Sequence, residues 1–288
     1  MDFYLSAVLL GLAFCSMGFG IYISLRIFNI PDITTDGSYT LGAAVTASLL
    51  TQGIALPLVV LIVMGAGALA GACTGIIHTR FKIQPLLAGI LVMTSLYSVN
   101  LNIMGRSNLP LLGVENAAGM FRFLPSIQTQ WLLLLLVIII FLVAFLSWFL
   151  QTDFGVSMRA TGNSELMVRA LGVNTQNMKV IGLAMANALT SVSGFLVCQF
   201  QQFSDINMGI GIVIFGLGSV MMGEAFISIL KAPSILKRLL GVVLGCVVFR
   251  LIVAVALDLG INPNWLKAVT AVIVLLVVGI PNLKKSSI

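Results

Sequence analysis

Long apolar runs separated by short polar breaks dominate the chain. Runs near 3–25, 54–77, 84–104, 129–150, 180–202, 209–230, 239–257 and 264–280 are mostly long enough to cross a hydrocarbon layer of roughly 30 Å as helices. A shorter run near 38–52 is a ninth span or half of a broken one. All eight prolines fall at or beyond the edges of these runs, as expected where a helix in lipid must satisfy its own backbone. The pattern predicts an all-α, polytopic transmembrane helical bundle of about 8–10 spans. The segments 28–40 and 209–224 are the places where a re-entrant or broken helix would change that count.

The runs differ among themselves. Gly67, Gly71 and Gly75 repeat every four residues and form a face that admits close helix approach. The run 84–104 places Thr94, Ser98 and Asn102 at successive i+4 positions, with Ser95 beside them, and the run 180–202 does the same with Asn187, Thr190, Ser191 and Gly194. A polar stripe on a spanning helix must face protein or water, so each stripe is either interhelical hydrogen bonding or the wall of a hydrophilic path. Two ionisable residues lie deeper: Glu224, about two turns from Lys231, and Arg250, more than three turns from Arg238. Charge at such depth is costly and marks a pathway or a pair.

One polar island interrupts the apolar pattern, from Gln151 to Lys179, and it carries Asp153, Arg159, Glu165, Arg169 and Lys179. It reads as a short helix between two breaks. Asn163 or Ser164 can cap its start, Glu165 and Arg169 form an i,i+4 pair in the better orientation, and Gly172 suits a left-handed C-terminal position.

Composition agrees with the pattern: 59% of residues are hydrophobic and only 8% charged, and a mean hydropathy of +1.13 is too apolar for one water-soluble core. The first run begins almost at Met1 without a basic leader or small-residue cleavage site, so it is expected to remain as a span. Cys15, Cys73, Cys198 and Cys246 lie inside apolar runs without metal-ligand spacing and are expected to be packing residues. With the N-terminus outside and one crossing per run, Arg26, Arg80, Lys82, Arg159, Arg169, Lys179, Lys231, Lys237, Arg238, Lys284 and Lys285 fall in the cytoplasm. Only Arg106, Arg122 and Lys267 fall outside. The positive-inside bias therefore predicts N-out, C-in, with the island cytoplasmic, and it accounts for the basic charge without nucleic acid.

No nucleotide-binding G-x-x-x-x-G-K-[ST] loop, H-E-x-x-H or G-x-S-x-G motif occurs, and Gly216-x-Gly218 does not complete a dinucleotide fingerprint. The lone histidine, His78, sits beside Arg80 at a membrane edge. These absences argue against an enzyme and against a cofactor. ATP-driven transport would require hydrolysis on another polypeptide.

The motifs carry a family resemblance. Gly155-Val-Ser-Met-Arg159-Ala160-Thr-Gly162-Asn163 followed by Ala170-Leu-Gly172-Val-Asn174 resembles the cytoplasmic signature of ABC-importer permeases of the branched-chain-amino-acid and ribose type. Ser193-Gly194-Phe195 and Phe215-Gly216-Leu217-Gly218-Ser219 resemble two further segments of that family. Ile30-Pro31-Asp32-Ile33-Thr34-Thr35-Asp36-Gly37-Ser38 is similar to a subgroup associated with uptake of tryptophan, tyrosine and related amino acids. Gly223-Glu224, where the family has Gly-Ala, and the longer, basic Lys231–Arg238 connection depart from the pattern.

The resemblance implies one permease domain over 1–288, multi-pass in the bacterial plasma membrane, with a cytoplasmic coupling segment at 151–179. It implies a separate ATPase subunit docked on Gly155, Arg159, Ala160, Gly162, Asn163, Glu165, Arg169 and Gly172. Further implied partners are an extracytoplasmic solute-binding protein, a second permease copy and membrane lipid. The candidate translocation path comprises Asp32, Thr34, Asp36, Ser38, Thr94, Ser98, Asn102, Asn187, Ser191 and Glu224. Two other classes compete. An ion-coupled secondary transporter would show an internal repeat and ion-binding acids, and an anchoring subunit would tolerate charge reversal at Arg159 and Arg169.

Overall fold

The computed structural model describes residues 2–113, 116–121, 126–227, 234–262 and 265–285. The first rod is three stacked pieces, α1 (Asp2–Ala13), α2 (Cys15–Ile21) and a π-helical segment (Tyr22–Ile27). After a break come α3 (Thr34–Thr51), α4 (Leu56–Arg80) and α5 (Pro85–Met104). The short strand β1 (Asn108–Pro110), a 3₁₀ turn (Ala117–Phe121) and α6 (Ile127–Phe149) follow. The island forms α7 (Asp153–Asn163) and α8 (Glu165–Ala170), and the chain continues as α9 (Thr175–Gln201), β2 (Phe203–Asp205), α10 (Ile212–Ile227), α11 (Ile235–Asp258) and α12 (Leu266–Lys285).

Among the described residues, six helices have the length and apolarity to cross a membrane: Phe3–Ile27, α4, α5, α6, α9 and α11. The weaker segments of the sequence pattern account for the rest. α3 is helical over 18 residues but more polar, α10 has 16, and the apolar part of α12 spans Leu266–Val277. Pro57 and Pro85 occupy the first turns of α4 and α5, where a missing N–H costs nothing. Pro281, by contrast, falls inside α12 and not beyond it. Pro125, Pro233 and Pro263 lie outside the described residues.

Burial divides the rods into two kinds. The first rod and α9 are mostly enclosed (83% and 72% of their apolar windows), whereas α4, α5 and α6 are only 28% enclosed. Every residue of α2 is buried, as is nearly all of α3. Central helices therefore pack against helices, and the outer ones present side chains such as Leu61, Leu69, Ile140 and Phe141 outward. In lipid that outward apolar surface is solvated.

The two ends of the bundle are distinct. At one end β1 and β2 pair antiparallel, Asn108 opposite Asp205 and Pro110 opposite Phe203, tying the end of α5 to the end of α9. At the other end lie the island, the α4–α5 turn and the starts of α9 and α11. Arg26, Arg80, Lys82, Arg159, Arg169, Lys179, Lys237 and Arg238 all belong to the island end, and Arg106 and Lys267 to the hairpin end. Arg122 and Lys231 lie outside the described residues.

Candidate functional site

The predicted site residues fall into three places, with Glu224 apart from them. The first is a buried polar cluster at the start of α3. Asp32, Thr34, Asp36 and Ser38 are all enclosed, just past the break after the π-helical segment. Asp32 accepts the Thr34 backbone N–H at 2.9 Å through Oδ1 and the Asn187 side-chain amide at 2.7 Å through Oδ2. Asn187 Oδ1 in turn accepts the Ser38 hydroxyl at 2.7 Å, and Thr34 and Thr74 share a hydroxyl contact at 2.7 Å. Ser191 donates to the Val63 carbonyl at 3.0 Å. Each polar group is satisfied within the subunit, the condition for keeping it in a dry interior. The glycine face on α4 makes this possible. A Cβ at Gly67, Gly71 or Gly75 would run into Ser191, the Leu183 carbonyl or Val180 on α9, so the helices meet backbone to backbone.

Asp36 has a different task. Its Oδ2 accepts the Gly211 N–H and its Oδ1 the Val213 N–H, each at 2.8 Å. α10 starts at a partly buried position, and the residue before it, Gly211, has no side chain to cap it. A carboxylate from α3 therefore caps it across the fold. This pairing was not legible in the sequence. The one signal was a short apolar helix preceded by Gly209-Ile210-Gly211, with no capping residue next to it.

The second place is the outward face of α5. Thr94, Ser98 and Asn102 are exposed together with Ser95 and Tyr97. Thr94 and Ser95 satisfy their hydroxyls on the carbonyls of Ile90 and Leu91 one turn back. Asn100, on the opposite face, is buried and donates to the Gly37 carbonyl at 3.3 Å.

The third place is the island. The sequence predicted one short helix; the structure has two, divided at Ser164, which adopts an extended conformation (φ −152°, ψ 96°). The Ser164 hydroxyl accepts the Met167 N–H at 3.4 Å, so the residue that ends α7 also caps α8. Thr152 caps α7 through the Gly155 N–H at 3.3 Å. Gly155 lets α7 fold back hard on the end of α6, where a Cβ would strike the Phe149 carbonyl. Gly162 fits against the first rod: a Cβ there would overlap the Ile27 carbonyl oxygen, and the Asn29 amide donates to the Gly162 carbonyl at 3.3 Å. Ala160 is half-buried in the same helix and Asn163 is exposed at its end.

Glu165 is the hub of α8. It accepts from Arg169 at 3.0 Å, from the Thr175 hydroxyl at 3.0 Å and from Lys179 at 2.5 Å. The Lys179 hydrogen bond, above all, holds its carboxyl below the usual carboxylate range. Gly172 adopts φ +85° and closes the helix, as its position predicted. Facing away from the bundle, Leu166 and Leu171 are 83% and 73% exposed, with Met167 beside them and Phe81 exposed at the α4–α5 turn. The motif reading passed over these apolar residues, although apolar side chains on the outward face of a six-residue helix, where only Val168 is buried, are themselves a signal.

The deep charges are paired within the fold. Glu224 forms an ion pair with Arg26 at the island end, while Lys231, the other candidate partner, lies outside the described residues. Arg250 stacks over the Phe14 ring at 5.5 Å from its centroid.

The family model for the permease component of branched-chain amino acid transport systems matches residues 3–279. The chain belongs to that family. It is 36% identical over 270 residues to a tyrosine transport system permease of Clostridioides difficile strain R20291, covering 94% of this chain and 88% of that one. An uncharacterized protein of Rickettsia prowazekii is 31% identical over 274 residues, 95% of each chain. The galactofuranose transporter permease of Escherichia coli K12 is 28% identical over 210 residues, 67% of this chain and 58% of the relative. The family is that of integral inner-membrane permeases of ABC-type transport systems, in which a separate subunit hydrolyses ATP, so the chain is a transport component and not an enzyme.

Proposed function

We propose that the chain is the translocating subunit of an importer for a small solute, an amino acid and aromatic by preference, driven by an ATPase that docks on 151–179. The observation that carries this reading is the two-sidedness of the island. One side is locked to span ends through Gly155 and Gly162, and the other presents Leu166, Met167 and Leu171 with no core to bury them. A rigid element with an exposed apolar knob is what a docking partner can push. Displacement of α7 acts first on Ile27, at the end of the π-helical segment. From there the break at 28–33 leads to Asp32 and its hydrogen bonds on α9.

On this reading the island is cytoplasmic, and the N-terminus is outside because the first rod begins at the hairpin end. A solute-binding protein meets the hairpin end. A second copy packs across the exposed polar face of α5, so that Thr94, Ser98 and Asn102 line a path shared by two subunits. The buried cluster is then the hinge region of the path and not its open wall. The aromatic preference rests on the tyrosine permease relative.

Co-purification with the ATPase tests the docking surface. Wild-type chain is expected to retain an ATPase through detergent extraction, and Leu166→Glu to lose it while eluting as the same folded species. Retention of the ATPase by Leu166→Glu, and by Arg159→Glu combined with Gly162→Leu, would remove the island from the interface. Uptake of labelled tyrosine and tryptophan against leucine and ribose by the assembled system tests the solute.

A further inference from the structure

Beside the island, a polar cavity of about 340 Å³ opens between the π-helical segment, α7 and the first turn of α11, with Tyr22, Arg26, Asn29, Arg159, Asn163 and Arg238 on its walls. Three guanidiniums from three separate stretches of chain thus line one space. Glu224 answers Arg26. Arg238 has the neutral Tyr22 hydroxyl as its partner, and Arg159 Nε is buried without a protein acceptor. The first turn of α11 holds no acidic residue; its Ser234 cap serves only the Lys237 N–H at 3.4 Å. Arg238 therefore stands at a helix start, where the dipole favours negative charge and disfavours positive.

Like charges converge on a common space at a cost unless an anion sits among them. With Arg26 neutralised by Glu224, two guanidiniums remain. Their planar forks match phosphate oxygens, and the Asn29 and Asn163 side chains add neutral polar groups. We propose that this cavity binds a phosphate-type anion, either the headgroup of an anionic phospholipid or free phosphate. Occupancy joins α7 to α11 and so braces the island beside the contact that Gly162 makes with the first rod. This site goes beyond the transport reading and does not depend on it.

The test uses the full-length chain, purified in detergent. Retention of phosphatidylglycerol over phosphatidylcholine is read by native mass spectrometry, and the shift in Tm with inorganic phosphate is read at constant ionic strength. Wild type is compared with Arg238→Gln, Arg238→Lys and Lys237→Gln, the last removing a neighbouring cation that does not line the cavity. Binding of one probe by the wild type is expected, about tenfold weaker in Arg238→Gln, the worth of roughly one charge-assisted hydrogen bond. Arg238→Lys, which keeps the charge and loses the fork, is expected to weaken it several-fold, and Lys237→Gln to leave it unchanged. Preferential retention of phosphatidylglycerol without a response to phosphate assigns a lipid headgroup; the reverse assigns free phosphate. Equal binding by wild type and both Arg238 variants overturns the site, as does an equal loss in Lys237→Gln, which would reflect general surface charge. If Arg238→Gln does not fold, Arg238→Lys decides alone, and unchanged binding by it overturns the site. Unchanged binding of both probes with loss of a co-purifying ATPase in Arg238→Gln would assign the arginines to a protein partner instead.

Discussion

Two polar stripes of nearly the same composition meet opposite fates in this molecule. On α9, Asn187, Thr190 and Ser191 are sealed inside, while on α5, Thr94, Ser98 and Asn102 face outward. The difference lies less in the stripes than in what stands opposite. α9 faces the Gly67–Gly71–Gly75 ladder, which brings the α4 backbone close enough for Ser191 to reach the Val63 carbonyl. No such ladder of this chain stands against the outward face of α5. Periodicity shows that a helix has a polar side; the residues of a neighbouring helix decide whether that side becomes core.

The sharpest way to break the comparison is to remove the ladder. In Gly71→Leu the new side chain must displace the Leu183 backbone and the Asn187 side chain. Overpacking against backbone costs about 3 kcal/mol or more, a large part of a domain's stability. The expected outcome is loss of monodisperse protein on size exclusion, without solute or ATPase entering the measurement. A well-folded Gly71→Leu protein would mean that the α9 stripe owes its burial to something other than the ladder.

A smaller effect separates the two stripes directly. Asn187→Leu removes one acceptor from Ser38 and one donor from Asp32, which leaves a buried carboxylate with its Thr34 contacts alone. An unmet buried polar group costs about 2–3 kcal/mol, so Tm should fall by several degrees. Ser98→Leu on the exposed stripe is expected to change stability by no more than about 0.5 kcal/mol. On the proposed reading it instead lowers solute uptake by about tenfold or more, because it narrows and dries a path between two copies. Equal destabilisation by both substitutions would dissolve the distinction, and normal uptake with Ser98→Leu would move the path elsewhere.

The same contrast explains what the sequence could and could not reveal. The rods were legible because lipid demands long uninterrupted apolar runs. The ends of α8 were legible because Ser164, Glu165 and Gly172 act within a few residues of one another. Asp32 and Asp36 were visible as path candidates in the 30–38 motif, but their partners, Asn187 and the Gly211–Val213 amides, lie more than 150 residues away in sequence. No local pattern encodes such a pairing. Glu224 illustrates the same limit, since Arg26, its partner among the described residues, comes from the first rod. What the sequence reading lacked is α7, the helix before Ser164: with glycines at 155 and 162, the stretch after Thr152 reads as a break leading into α8.

The smallest effect belongs to the carboxylate that stands at the wet end of the comparison. Glu165 resembles Asp32 in holding several donors, yet it lies at a helix end where water competes for them. Its carboxyl is held below its ordinary range, chiefly by Lys179. A lowered folded-state value means that the stabilisation is fully present above the unfolded carboxylate value, near 4, and is lost as pH falls through the folded one. From pH 7 to 5 the corner between α8 and α9 should therefore be unaffected by this group, with loosening only below about pH 4. A partly exposed cluster of this kind contributes at most about 1 kcal/mol. Glu165→Gln should accordingly lower Tm by a degree or two at pH 7 and by less at pH 3.5, which thermal unfolding at the two pH values measures. A difference that is the same at both would show that the corner rests on packing and neutral hydrogen bonds. A loss as large as that in Asn187→Leu would place Glu165 with the buried cluster, and the line between the dry and wet polar sites would have to be redrawn.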